Sequence, residues 1–106
     1  MTKRTFRRLP SAEDLKASID PLTFYKVEIG ATKDPKGDGW VTWPGLCPFH
    51  QHNRPGPFRV NLQTGAFHCH ACGAKGSSVI DFVMLRDGLD FAAALKRLRE
   101  SWGGAL

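Results

Sequence analysis

Cys47-Pro48-Phe49-His50, then eighteen residues, then Cys69-His70-Ala71-Cys72-Gly73 constrains this chain more than any other feature. Two short chelating pairs joined by a strand-rich spacer make a four-ligand site of the structural zinc type. Each pair closes one edge of a tetrahedron, and the spacer lets the two edges meet. The ligand set read from the spacing is Cys47, His50, Cys69 and Cys72, holding one structural Zn2+. Sets that use His68 or His70 in place of His50 stay open, although strand alternation turns the neighbours of Cys69 away from the metal and so argues against His68. No βαβ pattern of the thioredoxin kind surrounds Cys69-x-x-Cys72, which disfavours a redox pair. No H-x-E pair accompanies the cysteines either, so a deaminase-like catalytic zinc is rejected.

The rest of the composition fits a metal-stapled fold. A chain of 106 residues is one small domain in which apolar burial leaves a modest margin, and a metal staple adds to it. Three cysteines do not pair off into disulfides, no signal peptide opens the sequence, and no apolar run is long enough to cross a bilayer. Thiols that bind metal belong to a reducing compartment, so the expected location is the cytoplasm, with no membrane partner.

The net charge of +5 is unevenly placed. Residues 1–10 contribute +4 through Lys3, Arg4, Arg7 and Arg8, and read as a basic, disordered arm. Residues 11–106 read as the single folded domain. Between Trp40 and Gly76 there is no aspartate or glutamate, while Arg54, Arg59 and Lys75 stand among Trp40, Trp43, Phe58 and Phe67. Cations that track phosphates and rings that stack on bases are what a single-stranded nucleic-acid platform needs. Zinc held by three thiolates and a neutral histidine carries a local charge of about −1, so the basic surface is expected away from the metal knuckles.

Local signals place these residues on elements. Ser11 to Asp14 reads as a capping box opening one helix, and Asp20-Pro21 as a cap with proline at the first position of a second. Leu15, Ile19, Leu22, Tyr25 and Val27 are the expected buried side of this pair. Residues 33–39 read as a loop. Trp40 to Trp43 and Pro57 to Leu62 alternate as strands, and Gln63-Thr64-Gly65 turns into a third strand, Ala66 to Cys69. Residues 51–57 read as a loop beside the first metal pair. Ser78 to Asp81 reads as a capping box for a helix carrying Val79, Phe82 and Val83 and stopping near Gly88. Asp90 caps a last helix whose Phe91, Ala94, Leu95, Leu98 and Trp102 share one face, and both closing helices are expected to brace the sheet. On alternation Phe58, Val60 and Leu62 face inward, and Arg59, Asn61 and His68 outward. With Arg54 and Lys75 on the loops beside the metal pairs, these five are the candidate DNA contacts. His52 and His70 read as solvent or phosphate contacts, and Asp81, Asp87 and Asp90 as caps and helix surface.

Leu46-Cys47-Pro48-Phe49-His50, the Pro57-Phe58-Arg59-Val60 strand, Phe67 to Gly76, and Val79-Ile80-Asp81-Phe82-Val83-Met84 occur in an order that resembles the N-terminal zinc-binding domain of bacterial DnaG-type DNA primases, over roughly residues 11–100. The resemblance implies an α+β fold, a zinc ribbon with a small antiparallel β-sheet flanked by N- and C-terminal helices. It also implies a module that binds single-stranded template DNA and helps to choose where a primer starts. This sequence has Ser77-Ser78 where the family usually carries an acidic residue soon after the glycine. The family's polymerase domain and its carboxylate cluster do not appear in it, so the chain is expected not to make primers alone and to act with a polymerase domain or a replicative helicase in trans. The competing reading is a zinc-stapled protein adaptor of a replication or mobile-element complex, in which nucleic-acid contact is incidental.

Overall fold

The computed structural model of the chain describes residues 11–31, 33–49 and 56–102. Four helices and four strands lie among the described residues, in the order α1 (Ala12–Ser18), α2 (Pro21–Glu28), β1 (Trp40–Thr42), β2 (Phe58–Asn61), β3 (Phe67–Cys69), β4 (Lys75–Gly76), α3 (Val79–Asp87) and α4 (Phe91–Trp102). The strands form one antiparallel sheet in sequence order. The expected α+β class and its flanking helices are present.

Local chemistry accounts for where the helices start. The Ser11 hydroxyl accepts from the Asp14 N–H and the Asp14 carboxylate accepts from the Ser11 N–H, which completes the capping box of α1. Asp20 caps α2 through the N–H of Thr23, with Pro21 where its missing donor costs nothing. At α3 the expected box is rearranged. The Ser78 hydroxyl accepts from Ile80 N–H, while the Asp81 carboxylate reaches one residue further back and accepts from the N–H and hydroxyl of Ser77, both at 2.8 Å. Asp90 caps α4 by accepting from Ala93 N–H at 2.8 Å.

The buried side of α2 is Phe24 and Tyr25, and Val27 is two-thirds exposed. A step of two residues from Tyr25 turns about 200° around a helix, so Val27 cannot share its face. Phe91 is likewise exposed, one turn ahead of the buried Ala94 and Leu98. Of the two closing helices α3 packs on the sheet through β4, whereas α4 packs mainly on α3 and α1.

The sheet register separates two faces. Val41 sits opposite Val60, Val60 opposite Phe67, and Phe58 opposite Cys69, and all of these are buried. Against them Phe82 meets Phe67 and Tyr25 edge-on at 5.6 and 5.1 Å, and Tyr25 meets Phe58 at 6.5 Å. The Tyr25 hydroxyl donates to the Gly65 carbonyl at 2.6 Å, tying α2 to the turn between β2 and β3. Gly76 lies under Phe67 and Asp81 so closely that a Cβ there would stand 2.5 Å from Asp81 Cβ and 2.6 Å from Phe67 Cε1. Only glycine lets β4 approach the start of α3 in this way.

Candidate metal centre and nucleic-acid interface

Three elements deliver the thiols. Cys47 lies in the segment that leaves β1, Cys69 ends β3, and Cys72 sits in the turn before β4. That turn is closed by Gly73 N–H donating to Cys69 C=O at 2.9 Å, with Gly73 at φ 79°, a conformation that favours glycine. Cys47 is pinned from the other side. The Phe49 N–H donates to its sulfur at 3.4 Å, and the Phe49 ring stacks on Phe67 at 5.5 Å and meets Phe82 at 5.3 Å and Phe58 at 6.1 Å. Phe49 is therefore a positioning residue for the metal loop. Its signal in the sequence was an apolar ring between two candidate ligands, Cys47 and His50.

The three sulfur atoms lie within 4.8 Å of one another, and Cys47 Sγ is 4.0 Å from Cys72 Sγ. Zn–S bonds of about 2.3 Å in a tetrahedron require sulfurs roughly 3.8 Å apart, so the donor set fits such an ion. The protonation chemistry agrees with a site made for a cation. Burial, with the neighbouring Cys69 and Cys72 sulfurs adding to it, pushes the Cys47 thiol up to about 12. Cys69 is pushed up by burial as well, but the N–H groups of Cys72 and Ala71 donate to its sulfur and hold it below the ordinary thiol value. A divalent cation reverses the cost of gathering thiolates in one place. Cys47 and Cys69 are buried and Cys72 is exposed. His50, expected as the fourth ligand, lies outside the described residues. Among the described residues the metal-competent group consists of the cysteines, without His68 or His70. Those two rings pack on each other instead, with centroids 4.5 Å apart.

The opposite face of the sheet carries the other candidates. Thr42, Arg59, His68 and Lys75 stand side by side, one from each strand, because Thr42 pairs with Arg59, Arg59 with His68 and His68 with Lys75. Alternation turns this row away from the buried Cys69. The sequence-predicted residues Arg59, His68 and Lys75 are thus brought into one line. The Arg59 guanidinium donates from Nη2 to the Trp40 carbonyl at 3.4 Å, and its buried Nε has no hydrogen-bond partner among the described residues. Asn61 shares the face, paired with Trp40, but its side-chain oxygen accepts from Gln63 and Thr64 N–H at 2.8 and 3.0 Å and so shapes the turn. Arg54 lies outside the described residues. Of the five aromatic residues in the acid-free stretch, Trp43, Phe58 and Phe67 are core, Phe49 is partly buried against it, and Trp40 is 48% exposed.

Two cysteine knuckles beneath a small antiparallel sheet with flanking helices define a zinc-ribbon metal-binding domain. The chain belongs to the DnaG zinc-ribbon family, the CHC2 zinc finger, whose model matches residues 13–105. It is 41% identical over 58 residues to a DNA primase of Listeria monocytogenes, covering 55% of this chain and 9% of that protein. It is 40% identical over 86 residues to a DNA primase of Helicobacter pylori, covering 79% of this chain and 15% of that protein. Its fold matches the crystal structure of the Aquifex aeolicus primase zinc-binding and RNA polymerase domains with a TM-score of 0.66 and 26% identity, over 86% of this chain and 21% of that one. The chain thus spans 9–21% of the length of these primases. Among the described residues no helix is long and apolar enough to cross a membrane.

Proposed function

We propose that this chain is a zinc-dependent module that binds single-stranded DNA template and supports primer synthesis by a polymerase domain outside the sequence described here. The observation that carries this reading is the row of Arg59, His68 and Lys75 across the solvent-facing side of the sheet, in a family whose relatives are DNA primases. Zinc held by Cys47, Cys69 and Cys72, with His50 as the fourth ligand, closes both knuckles and fixes the strand ends from which that row projects. The ion has a structural role, and four protein ligands leave it no open position for a reacting water. Arg59 and Lys75 supply positive charge for phosphate oxygens. His68 lies between them, able to contact a sugar or a base edge. Arg54 and the amide nitrogen of Asn61 complete the proposed contact set.

Fluorescence anisotropy on labelled single-stranded and duplex DNA across a salt series tests this reading. The expected outcome is tighter binding to the single strand, with a slope that reflects a few neutralised phosphates. Arg59→Ala should weaken binding while zinc content and helicity are kept. Failure of the zinc-loaded protein to bind single strands at low salt would overturn the proposal in favour of a protein adaptor.

A further inference from the structure

Trp40 is an anomaly on the strand that bears it. Its neighbours Val41 and Trp43 are buried, and Trp43 donates its indole N–H to the Gly30 carbonyl at 3.2 Å, so the core already has its ring from this segment. Trp40 instead stands on the outer face, half exposed. It borders a groove of about 910 Å³ that runs over Ala66 and Gly76 and is closed on its far side by Met84, Leu85 and Leu89, from α3 and the residues after it. Leu85 is 49% exposed there, a second large apolar side chain with no core role. The volume lies in the range of sites that enclose small organic ligands.

The rim is polar. His68, Lys75, Ser77 and Asp81 border the same groove. Two hydrogen bonds from Ser77 already engage the Asp81 carboxylate. On its other side Trp40 borders a second depression, of about 570 Å³, with Lys33, Lys36 and Arg59 around it. Asp34 lies there too, paired with Lys26 at 2.7 Å. An exposed indole therefore separates two hollows, one edged by Lys75 and the other by Lys33, Lys36 and Arg59, and the groove beyond it has apolar walls. Planar apolar surface flanked by positive charge matches one repeating unit of a single strand, a ring with a phosphate on either side.

Resting on the reading of this face as a single-strand platform, we propose that the groove between Trp40 and Leu85 is a nucleobase slot, in which one unpaired base stacks on Trp40 while Arg59 with Lys33 or Lys36 holds one flanking phosphate and Lys75 the other. A folded protein partner would fit less well, because the groove is narrow in apolar extent and cations lie on both sides of Trp40.

The test uses the zinc-loaded full chain and a short labelled mixed-sequence oligonucleotide, with a single abasic site walked along it. In the wild type, removal of one particular base should weaken binding more than removal of the others. Trp40→Ala should weaken binding to the intact strand by roughly 5- to 100-fold, as expected for one lost stacking contact. It should also abolish the abasic penalty and leave the salt slope unchanged, because no phosphate contact is removed. Trp40→Phe should restore most of the affinity. If Trp40→Ala loses zinc or helicity, Leu85→Asn on the opposite wall carries the same expectation for the abasic penalty. A wild type that binds single strands with no position-dependent penalty, or a folded Trp40→Ala protein that binds as the wild type does, would sink the slot and leave the platform standing. A wild type that fails to bind single strands at all would overturn both.

Discussion

At the scale of single residues, the cysteine cluster was legible because metal chelation calls for short paired spacings. Cys47, Cys69 and Cys72 converge as read. Replacing Cys47 or Cys72 by serine should abolish stoichiometric zinc and unfold the sheet, since a structural site of this kind contributes its binding energy to folding. Metal analysis and circular dichroism of the two variants check this, and a tetrahedral zinc retained in both would overturn the assignment. Gly76 was quoted only as part of a motif, and its reason lies in tertiary approach. Gly76→Ala sets a Cβ 2.5 Å from that of Asp81, and the shift it forces should cost about 1–3 kcal/mol in denaturant unfolding. Unchanged stability would mean that β4 and α3 separate freely. Such a close approach depends on the folded backbone and leaves no local pattern in sequence. Val27 was misread for a different reason: apolar residues were counted without their angles around the helix.

Elements were legible wherever a cap announced them. Serine and aspartate at Ser11, Asp20, Ser78 and Asp90 mark all four helix starts, because their side-chain oxygens meet orphan N–H groups there. Strand β4 was not read as a strand, since two residues, Lys75 and Gly76, are too few to alternate; β3 gives them their conformation by pairing. Nor did periodicity say that α4 would lie on helices. Part of that answer is electrostatic. The half-buried Glu28 at the end of α2 pairs with Arg86 of α3 at 2.8 Å and Arg97 of α4 at 3.4 Å and accepts from the Trp102 indole at 3.0 Å. The Arg86 guanidinium also grips the adjacent Asp87 with bonds of 2.9 and 3.1 Å, which lowers the Asp87 carboxyl below the ordinary aspartate value. A carboxylate favoured in the folded state stabilises it above the unfolded aspartate pKa of about 3.9, and that contribution is lost as pH falls through the lower, folded value. Asp87→Asn should therefore flatten the acid limb of the stability curve below about pH 4, read by urea unfolding at a series of pH values. An acid limb that keeps its steepness would remove Asp87 from the network.

Across the whole molecule, one sheet divides two tasks between its faces. The inner face merges the sulfur cluster with the ring cluster through Phe49, and the outer face is left to cations and Trp40. That division was legible from alternation alone, since a period of two cannot place Cys69 and His68 on the same side. The Tyr25 bond to the Gly65 carbonyl spans the same boundary between helices and sheet, and it has an optical consequence. Tyr25 is the one tyrosine in the sequence. Burial first, and then the Asp81 carboxylate, raise its phenol well above the ordinary value, so the folded protein keeps the proton at pH values where an unfolded chain releases it. Stability from this group is complete below about pH 10 and declines above it. The ultraviolet absorbance of tyrosinate in an alkaline titration should therefore rise in one cooperative step together with loss of helicity. A smooth rise near pH 10 with helicity intact would show the phenol exposed. One chromophore, needing no label, thus reports whether helices and sheet are still joined, and any variant of the metal loop or the outer face can be screened by it before its affinity is measured.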